Sequence, residues 1–239
     1  MPTPLLLHLE STTTACSVGL SEAGELLAIR EVNNGYSHAE NLAQFIDAVF
    51  SEAGREGSQL QGVVVSKGPG SYTGLRIGVA TAKGLAYSLK IPLLAINTLQ
   101  AMSHGAIRSL EEQGEDPSLY HFCPMLDARR MEVYTARYDA ALQEQTATHA
   151  LIVESDSFDT LLQSQRTVFF GTGAAKCREL LEKYPNARVE DDRFPSARDM
   201  VALAEDAYAR EAFEDLAYFE PFYLKDFVAT TPKQPLHRP

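Results

Sequence analysis

Three short stretches carry residue types that are common in binding and catalytic sites. Residues 66–78 (SKGPGSYTGLRIG) are rich in glycine, residues 8–14 (HLESTTT) place Glu10 before four hydroxyl side chains, and residues 171–176 (GTGAAK) form a second small-residue turn. Backbone amides freed by glycine suit phosphates, and carboxylates with hydroxyl groups suit hydrated metal ions. Each stretch can also be a turn that binds nothing, so the surrounding sequence is needed to distinguish a binding site from a structural turn.

The first of these stretches matches neither of the common nucleotide-binding fingerprints. A P-loop requires Lys and a hydroxyl residue directly after its last glycine, but a Leu-Arg pair follows Gly74. The dinucleotide pattern GxGxxG requires glycine at the position of Thr73. The remaining interpretation is a strand-to-helix turn in which Ser71 or Thr73 caps the helix.

The helix predicted over residues 75–89 is apolar on two sides. One stripe contains Leu75, Val79, Ala82, Ala86 and Leu89, and the other contains Ile77, Ala80, Gly84 and Leu85. A helix that is apolar nearly all round is buried on more than one side. It therefore either lies inside one domain or packs on its own sheet and on a partner.

The histidine and cysteine patterns argue against several enzyme classes. The sequence has no HExxH, HxxxH or GxSxG, and Cys16, Cys123 and Cys177 form no CxxC pair. No zinc site, disulfide framework or hydrolase triad is predicted. His8 lies in a predicted strand, where a buried neutral imidazole is the expected state.

Composition limits the partners that the chain can bind directly. It has 32 acidic and 21 basic side chains among 239 residues, a net charge of -11, and 45% apolar residues. Such a chain can bury a proper core but is a weak ligand for nucleic acid, whose affinity comes from Lys and Arg. It has neither a signal-like N-terminus nor an apolar run of about 20 residues, so a cytoplasmic location without membrane contact is expected.

The predicted elements occur in the same order twice. In the first half, strands are predicted over 5–10, 15–20, 26–32, 62–66 and 92–96, and helices over 37–53, 75–89 and 98–110. A polar linker follows at 111–118. In the second half, strands are predicted over 120–126, 132–138, 147–153 and 167–170, with a short one at Val189, and helices over 157–163, 174–183 and 196–213. This order predicts an α/β protein with two similar lobes, residues 1–110 and 111–239. The last helix and the tail are expected to pack back on the first lobe.

Four stretches together resemble the TsaB family of bacterial tRNA threonylcarbamoyladenosine biosynthesis proteins. They are LESTTTACSVGL, KGPGSYTGLRIGVATAKGLAYSLKIPLLAINTL, DARRMEVYTARY and EPFYLKDF, and they span nearly the whole chain. The resemblance implies the ASKHA fold of actin, sugar kinases and heat-shock ATPases, with two ribonuclease-H-like lobes. It also implies a non-catalytic subunit that pairs with its paralogue TsaD and with the ATPase TsaE, and that reaches tRNA only through this complex. The modified base is the adenosine 3′ of the anticodon in tRNAs reading ANN codons.

The same resemblance implies that the metal site of TsaD is missing here. TsaD holds its metal through HxxxH in a helix whose equivalent positions are Thr98 and Met102. Neither side chain replaces an imidazole at a hard or borderline metal. Glu10 also stands where most ASKHA enzymes and many TsaB chains have Asp.

Site residues follow from the resemblance and from the predicted helices. The expected partner interface comprises Leu42, Phe45, Tyr72, Leu75, Arg76, Val79, Ala82 and Lys83. The expected nucleotide contacts are Glu10, Ser71, Gly171 and Gly173. No catalytic residue, no metal and no obligatory cofactor is expected, apart from a weakly held adenine nucleotide at the partner interface; a homodimer is the expected alternative when the chain is alone.

Two other functions stay open at this point. An active ASKHA ATPase or phosphotransferase requires an acidic residue at each of two phosphate loops, and Glu10 is the candidate at the first. A peptidase is the third interpretation, which the missing HxxxH disfavours.

Overall fold

A computed structural model describes residues 3–33 and 38–225. The first half contains β1 (Leu5–Glu10), β2 (Ala15–Glu22), β3 (Glu25–Asn33), α1 (His38–Ala53), β4 (Gly62–Gly68), α2 (Tyr72–Leu89), β5 (Leu93–Asn97) and α3 (Thr98–Glu112). The second half contains β6 (His121–Asp127), β7 (Glu132–Tyr138), β8 (Glu144–Ile152), α4 (Asp159–Ser164), β9 (Thr167–Phe170), α5 (Ala174–Leu181), β10 (Ala187–Glu190) and α6 (Val201–Ala209). Ser37, the predicted cap of the helix 37–53, lies outside the described residues.

The two five-stranded sheets have the same topology. Their strand orders are β3-β2-β1-β4-β5 and β8-β7-β6-β9-β10. In each sheet the first strand pairs antiparallel with the second and parallel with the fourth. The prediction of an α/β protein with two similar lobes is confirmed.

Burial explains which strands occupy the centre of each sheet. β1 is buried at every residue, and β4 is buried at all but one. Continuous apolar runs such as LLLHLE and GVVVSKG suit strands that are covered by helices on both faces. The edge strands β3 and β8 contain most of the exposed strand residues of their sheets.

Helix α2 has defined ends. The Ser71 side chain accepts a hydrogen bond from the Gly74 amide, which is a standard N-cap interaction. At the other end Lys90 adopts a left-handed conformation with φ 56°. That conformation ends the helix after Leu89.

Each sheet is covered partly by a helix from the other half of the chain. Leu99, Met102 and Leu110 of α3 pack with Phe122 and Phe170 of the second sheet. Met200, Ala204 and Ala207, in and just before α6, pack with Leu6 and Val64 of the first sheet. The domain boundary between residues 110 and 111 stays a prediction.

The helix predicted over 196–213 is shorter than expected. It begins with a 3-10 turn, Ala197–Met200, and the α-helix ends at Ala209. Glu211 has φ 54°, a left-handed conformation that an α-helix cannot continue through.

The C-terminal segment, residues 214–225, returns to the first lobe without regular structure. The Glu214 amide donates to the Leu93 carbonyl at 2.9 Å, and the Phe222 amide donates to the Lys67 carbonyl at 2.7 Å. Leu216 and Phe219 pack against the first core. In the described part of the chain, no helix is both long enough and apolar enough to cross a bilayer.

Candidate functional site

The glycine-rich stretch packs directly on the turn between β1 and β2. The Ser71 amide donates to the Thr12 carbonyl at 2.6 Å, and the Ser11 hydroxyl donates to the Gly74 carbonyl at 2.9 Å. A Cβ atom added to Gly70 or Gly74 would lie closer than 3.0 Å to the backbone of residues 11 and 12. These glycines are therefore needed for contact between two loops, and their backbone does not form an open phosphate cradle.

Glu10 forms hydrogen bonds within the turn that follows β1. Its side chain is fully buried, and Oε1 accepts hydrogen bonds from the Thr12 amide at 2.6 Å and from the Thr12 hydroxyl at 2.5 Å. Burial raises the pKa of Glu10 above its ordinary value, and the hydrogen bonds from Thr12 act in the opposite direction. Oε2 is buried without a geometric hydrogen-bond partner among the described residues. The contact of Glu10 with a nucleotide stays a prediction.

The second glycine turn is also shaped by close packing. Gly171 has φ 99°, and a Cβ there would lie 2.5 Å from the Met125 carbonyl oxygen. The Gly173 amide donates to the same carbonyl at 2.8 Å. Both glycines are buried. Their contact with a nucleotide, like that of the exposed Ser71, stays a prediction.

Asp127 is a candidate site residue that the sequence interpretation did not name. It ends β6, the strand that occupies in the second sheet the position of β1 in the first. Asp127 is half-exposed and forms an ion pair with Lys176, whose ammonium also donates to the Glu132 carbonyl at 2.6 Å. The repeated order of elements, which makes position 127 the counterpart of position 10, was the signal that could have found it.

The two positions aligned with metal-binding histidines do not fit a metal. Thr98 is fully buried, and its hydroxyl lies 2.7 Å from that of Ser66. Met102 is fully buried in the second core. Nearby His104 places Nδ1 3.0 Å from the Asp199 carbonyl oxygen. Within residues 3–33 and 38–225, no three His, Cys, Asp or Glu side chains are grouped as metal ligands.

Half of the predicted partner interface is wrong. Leu42, Leu75, Val79 and Ala82 are all at most 5% exposed and lie inside the chain. Leu75, Val79 and Ala82 belong to the stripe of α2 that covers the first sheet. Leu42 lies on the buried side of α1. The two stripes of α2 could not be assigned to inside and outside from the sequence, because both are apolar.

The other four predicted interface residues are at least partly accessible. Phe45 and Tyr72 are half-buried, and Arg76 is exposed with its guanidinium 5.3 Å from the centre of the Tyr72 ring. Lys83 is engaged within the chain, because its ammonium donates to the carbonyls of Ala217 and Phe219. Their contact with a partner stays a prediction.

The solvent side of α2 carries small and aromatic residues. Its exposed residues include Arg76, Ala80, Gly84 and Tyr87, and these four are called the outer face of α2. Tyr87 is 77% exposed, and a Cβ on Gly84 would meet no atom within 4 Å. In the described part of the chain, this face is exposed.

One cavity in the described chain lies away from these residues. It measures about 510 Å³ and lies between α3, the turn between β7 and β8, and the start of α6. Arg108 and Arg198 lie at its edge. No residue predicted from the sequence as a site residue lines it.

The remaining candidate groups are structural. His8 is fully buried with Nε2 2.7 Å from the Ser21 hydroxyl, and burial lowers the pKa of His8 to about 3. The expectation of a neutral core histidine is confirmed. Cys16, Cys123 and Cys177 are free and buried.

The repeated lobes, each with a central strand that ends in a carboxylate, define a protein of the ASKHA class. Residues 34–233 match the family model described as "TsaD: tRNA N6-adenosine threonylcarbamoyltransferase". The chain belongs to this family.

Curated relatives and solved structures agree with this assignment. The Haemophilus influenzae protein named tRNA threonylcarbamoyladenosine biosynthesis protein TsaB is 28% identical over 232 residues, which cover 93% of this chain and 94% of that one. The Escherichia coli protein of the same name is 28% identical, covering 94% and 96%. A Pseudomonas aeruginosa structure described as similar to peptidase YeaZ superposes with a TM-score of 0.78 at 29% identity, covering 94% of this chain and all of that one. The resemblance to TsaB is confirmed.

Proposed function

We propose that the chain is a non-catalytic subunit in the threonylcarbamoylation of tRNA. It pairs with TsaD, works with TsaE, and supports transfer to the adenosine 3′ of the anticodon in tRNAs reading ANN codons. The names of the relatives place them in the biosynthesis of this modified base. The proposal gives this chain the activating role and TsaD the chemistry.

The closed turn after β1 is the observation that best supports a non-catalytic role. The turn after β1, where an ASKHA enzyme would hold phosphate, is filled by its own contacts with Gly70 and Gly74. Glu10 at this turn is fully buried, and its Oε1 accepts two hydrogen bonds from Thr12. The buried Thr98 and Met102 give no ligands to a metal. We therefore expect purified chain to hold no stoichiometric iron or zinc, and elemental analysis finding about one metal ion per chain would contradict this.

The outer face of α2 supports the proposed pairing of this chain with TsaD. Exposed small residues such as Ala80 and Gly84 let another helix approach closely. Tyr87 adds a large accessible ring beside them. The same face would serve a homodimer when TsaD is absent, and an adenine nucleotide held weakly near Ser71 and Tyr72 would lie beside it.

The proposal is tested by reconstitution with purified components. Threonylcarbamoyl transfer to a tRNA transcript is measured with this chain alone, with TsaD and TsaE, and with all three proteins. We expect no transfer by the chain alone and a large increase when it is added to TsaD and TsaE. Transfer by the chain alone, or no effect of adding it, would show that the proposed role is wrong.

An ATPase or phosphotransferase remains the second candidate because of Asp127. This carboxylate is half-exposed, ends the central strand of the second sheet and lies beside Lys176. ATP hydrolysis by the isolated chain, abolished in Asp127→Asn, would favour this candidate. The leading proposal predicts no hydrolysis above that of the variant.

A further inference from the structure

The cavity between α3, the turn between β7 and β8, and the start of α6 lies where the two lobes meet. Gly24, in the turn between β2 and β3, also lines it. β1 begins beside the end of β2, and β6 begins beside the end of β7, so both turns lie at the beginnings of the central strands. Glu10 and Asp127 end these two strands. The cavity is therefore at the opposite end of the sheets from the phosphate turns of the ASKHA fold.

The walls of this cavity are mostly apolar. Its apolar lining residues come from α3, the β7–β8 turn and α6, and they are Ile107, Ala140, Ala141, Leu142, Val201 and Ala202. The volume of about 510 Å³ lies within the range of about 300–1,000 Å³ that is usual for small-molecule sites. A ligand with an apolar body would gain free energy by leaving water for these walls.

Two arginines provide positive charge in the same cavity. Arg198 is exposed, and within residues 3–33 and 38–225 its guanidinium forms no hydrogen bond or ion pair, although its charge stabilises the ionised form of Asp199. Arg108 contacts Asp199 through Nη2 and Glu112 through Nε, and neither contact uses Nη1. A guanidinium has five N–H donors. Both side chains therefore retain donors for a ligand.

Glu111 limits the charge that a ligand can have. It is exposed and lines the same cavity as the two arginines. Its carboxylate repels negative charge, so a ligand with one negative charge suits this set of side chains better than a dianion does. A carboxylate carries one charge and matches the planar fork of a guanidinium through two parallel hydrogen bonds.

We propose that this cavity binds a small organic monocarboxylate. The carboxylate contacts Arg198 and Arg108, and the apolar body lies against Ile107, Leu142 and Val201. This binding goes beyond the proposed function. It uses no residue of the outer face of α2, and it does not depend on pairing with TsaD.

The test uses the full chain and octanoate as the probe, with binding measured by calorimetry at about pH 7.5, where a carboxylate is ionised. Octanamide has the same apolar body without the charge and should bind at least about fivefold more weakly. Arg198→Gln should weaken octanoate binding by about tenfold or more, because charge-assisted hydrogen bonds are lost, and should leave octanamide within about twofold. Arg166→Gln removes a charge from an exposed position elsewhere and should bind octanoate like the natural chain.

Filling the cavity gives an independent test of where the probe binds. Ala202→Phe should weaken octanoate and octanamide alike by about tenfold or more, because the ring takes the space of the apolar body. Ala175→Phe, at an exposed alanine of α5, is the matched control and should change neither affinity. Circular dichroism checks that both variants are folded, and Ala141→Phe replaces Ala202→Phe if the latter is not.

Several results would overturn the proposal. They are no binding of octanoate to the natural chain at about 1 mM, equal affinity of octanoate for Arg198→Gln and the natural chain, and full affinity of a folded cavity-filling variant. An equal loss in Arg166→Gln would indicate a general charge effect. Octanamide binding as tightly as octanoate would indicate an apolar cavity that does not recognise a carboxylate. Either of these two results would also overturn it.

Discussion

At the scale of single residues, the glycine-rich stretch is explained by contact distance. Gly70 and Gly74 lie where any side chain would collide with the backbone of residues 11 and 12. Glu10 completes the same contact by accepting two hydrogen bonds from Thr12. Residue types that resemble a phosphate site thus build a closed junction between β1, β4 and α2.

Two glycines of α2 provide a matched test of this explanation. Gly74→Ala should lower the free energy of unfolding by about 3 kcal/mol or more, because its Cβ would overlap the Ser11 carbonyl. Gly84→Ala should leave it unchanged or raise it by about 0.5–1 kcal/mol, because that position is open and alanine favours helix. Urea denaturation of both variants measures the difference. Equal effects would mean that Gly74 is not at a close contact.

Asp199 gives a prediction about pH. Asp199 is 5% exposed, and its carboxylate accepts a hydrogen bond from Arg108 at 3.0 Å. Burial raises the pKa of Asp199 from 3.8 to about 6, although Arg108, Arg193 and Arg198 act in the opposite direction and Glu31 adds to the increase. The folded state therefore binds this proton more tightly than the unfolded state does.

The sign of the effect follows from this difference. Between about pH 4 and about pH 6, the natural chain should lose up to about 3 kcal/mol of stability relative to Asp199→Asn as the pH rises. Urea titrations of both proteins at several pH values measure the difference. A constant difference across this range would show that Asp199 titrates normally.

At the scale of elements, the sequence predicted most strands and helices to within a few residues. β1, β7 and β9 have the predicted bounds, because their apolar runs are bounded by clear turns. The late helix was overextended, because Ala212 and Phe213 continue its apolar pattern beyond Ala209 although the backbone turns at Glu211. Periodicity detects a helix but not a left-handed residue that ends it.

The candidate site was less predictable than the elements. Leu75, Val79 and Ala82 were assigned to the interface, but burial places them inside. Asp127 was missed, because its importance depends on the superposition of two sheets that are separated in sequence. Which stripe faces a sheet, and which loop lies beside another, depend on tertiary contacts that no local pattern contains.

Lys83 of α2 contacts the C-terminal segment through two hydrogen bonds. Lys83→Met should remove the hydrogen bonds to the Ala217 and Phe219 carbonyls. We expect faster cleavage by protease within 214–225 and a loss of about 1–2 kcal/mol in the free energy of unfolding. Lys183→Met, at an exposed position on the other lobe, is the control and should change neither quantity. Unchanged cleavage in Lys83→Met would mean that the other contacts of the segment, which are its backbone hydrogen bonds and the packing of Leu216 and Phe219, are sufficient to hold it.

At the scale of the whole molecule, the two sheets have the same topology, and each is partly covered by a helix from the other half of the chain. α3 covers the second sheet and α6 covers the first. Helices α1 and α2 also pack on the first sheet, and α2 presents the outer face to solvent. The proposed subunit thus uses an ASKHA fold for association, with its own phosphate turn closed.

Neighbouring positions on α2 separate folding from association. Val79→Glu would place an unpaired carboxylate in the first core and should cost several kcal/mol of stability. Ala80→Glu places the same group on the outer face and should leave the melting temperature nearly unchanged. Ala175→Glu, at an exposed alanine of α5, is the matched control.

The dissociation constant for TsaD, measured by light scattering or calorimetry on folded protein, tests the central claim most directly. We predict that Ala80→Glu weakens pairing by about 100-fold or more, since burial of an unpartnered charge at the centre of an interface costs several kcal/mol. Ala175→Glu should pair within about threefold of the natural chain. Equal affinity of Ala80→Glu and Ala175→Glu for TsaD, or no binding by the natural chain, would contradict the proposed pairing through the outer face of α2.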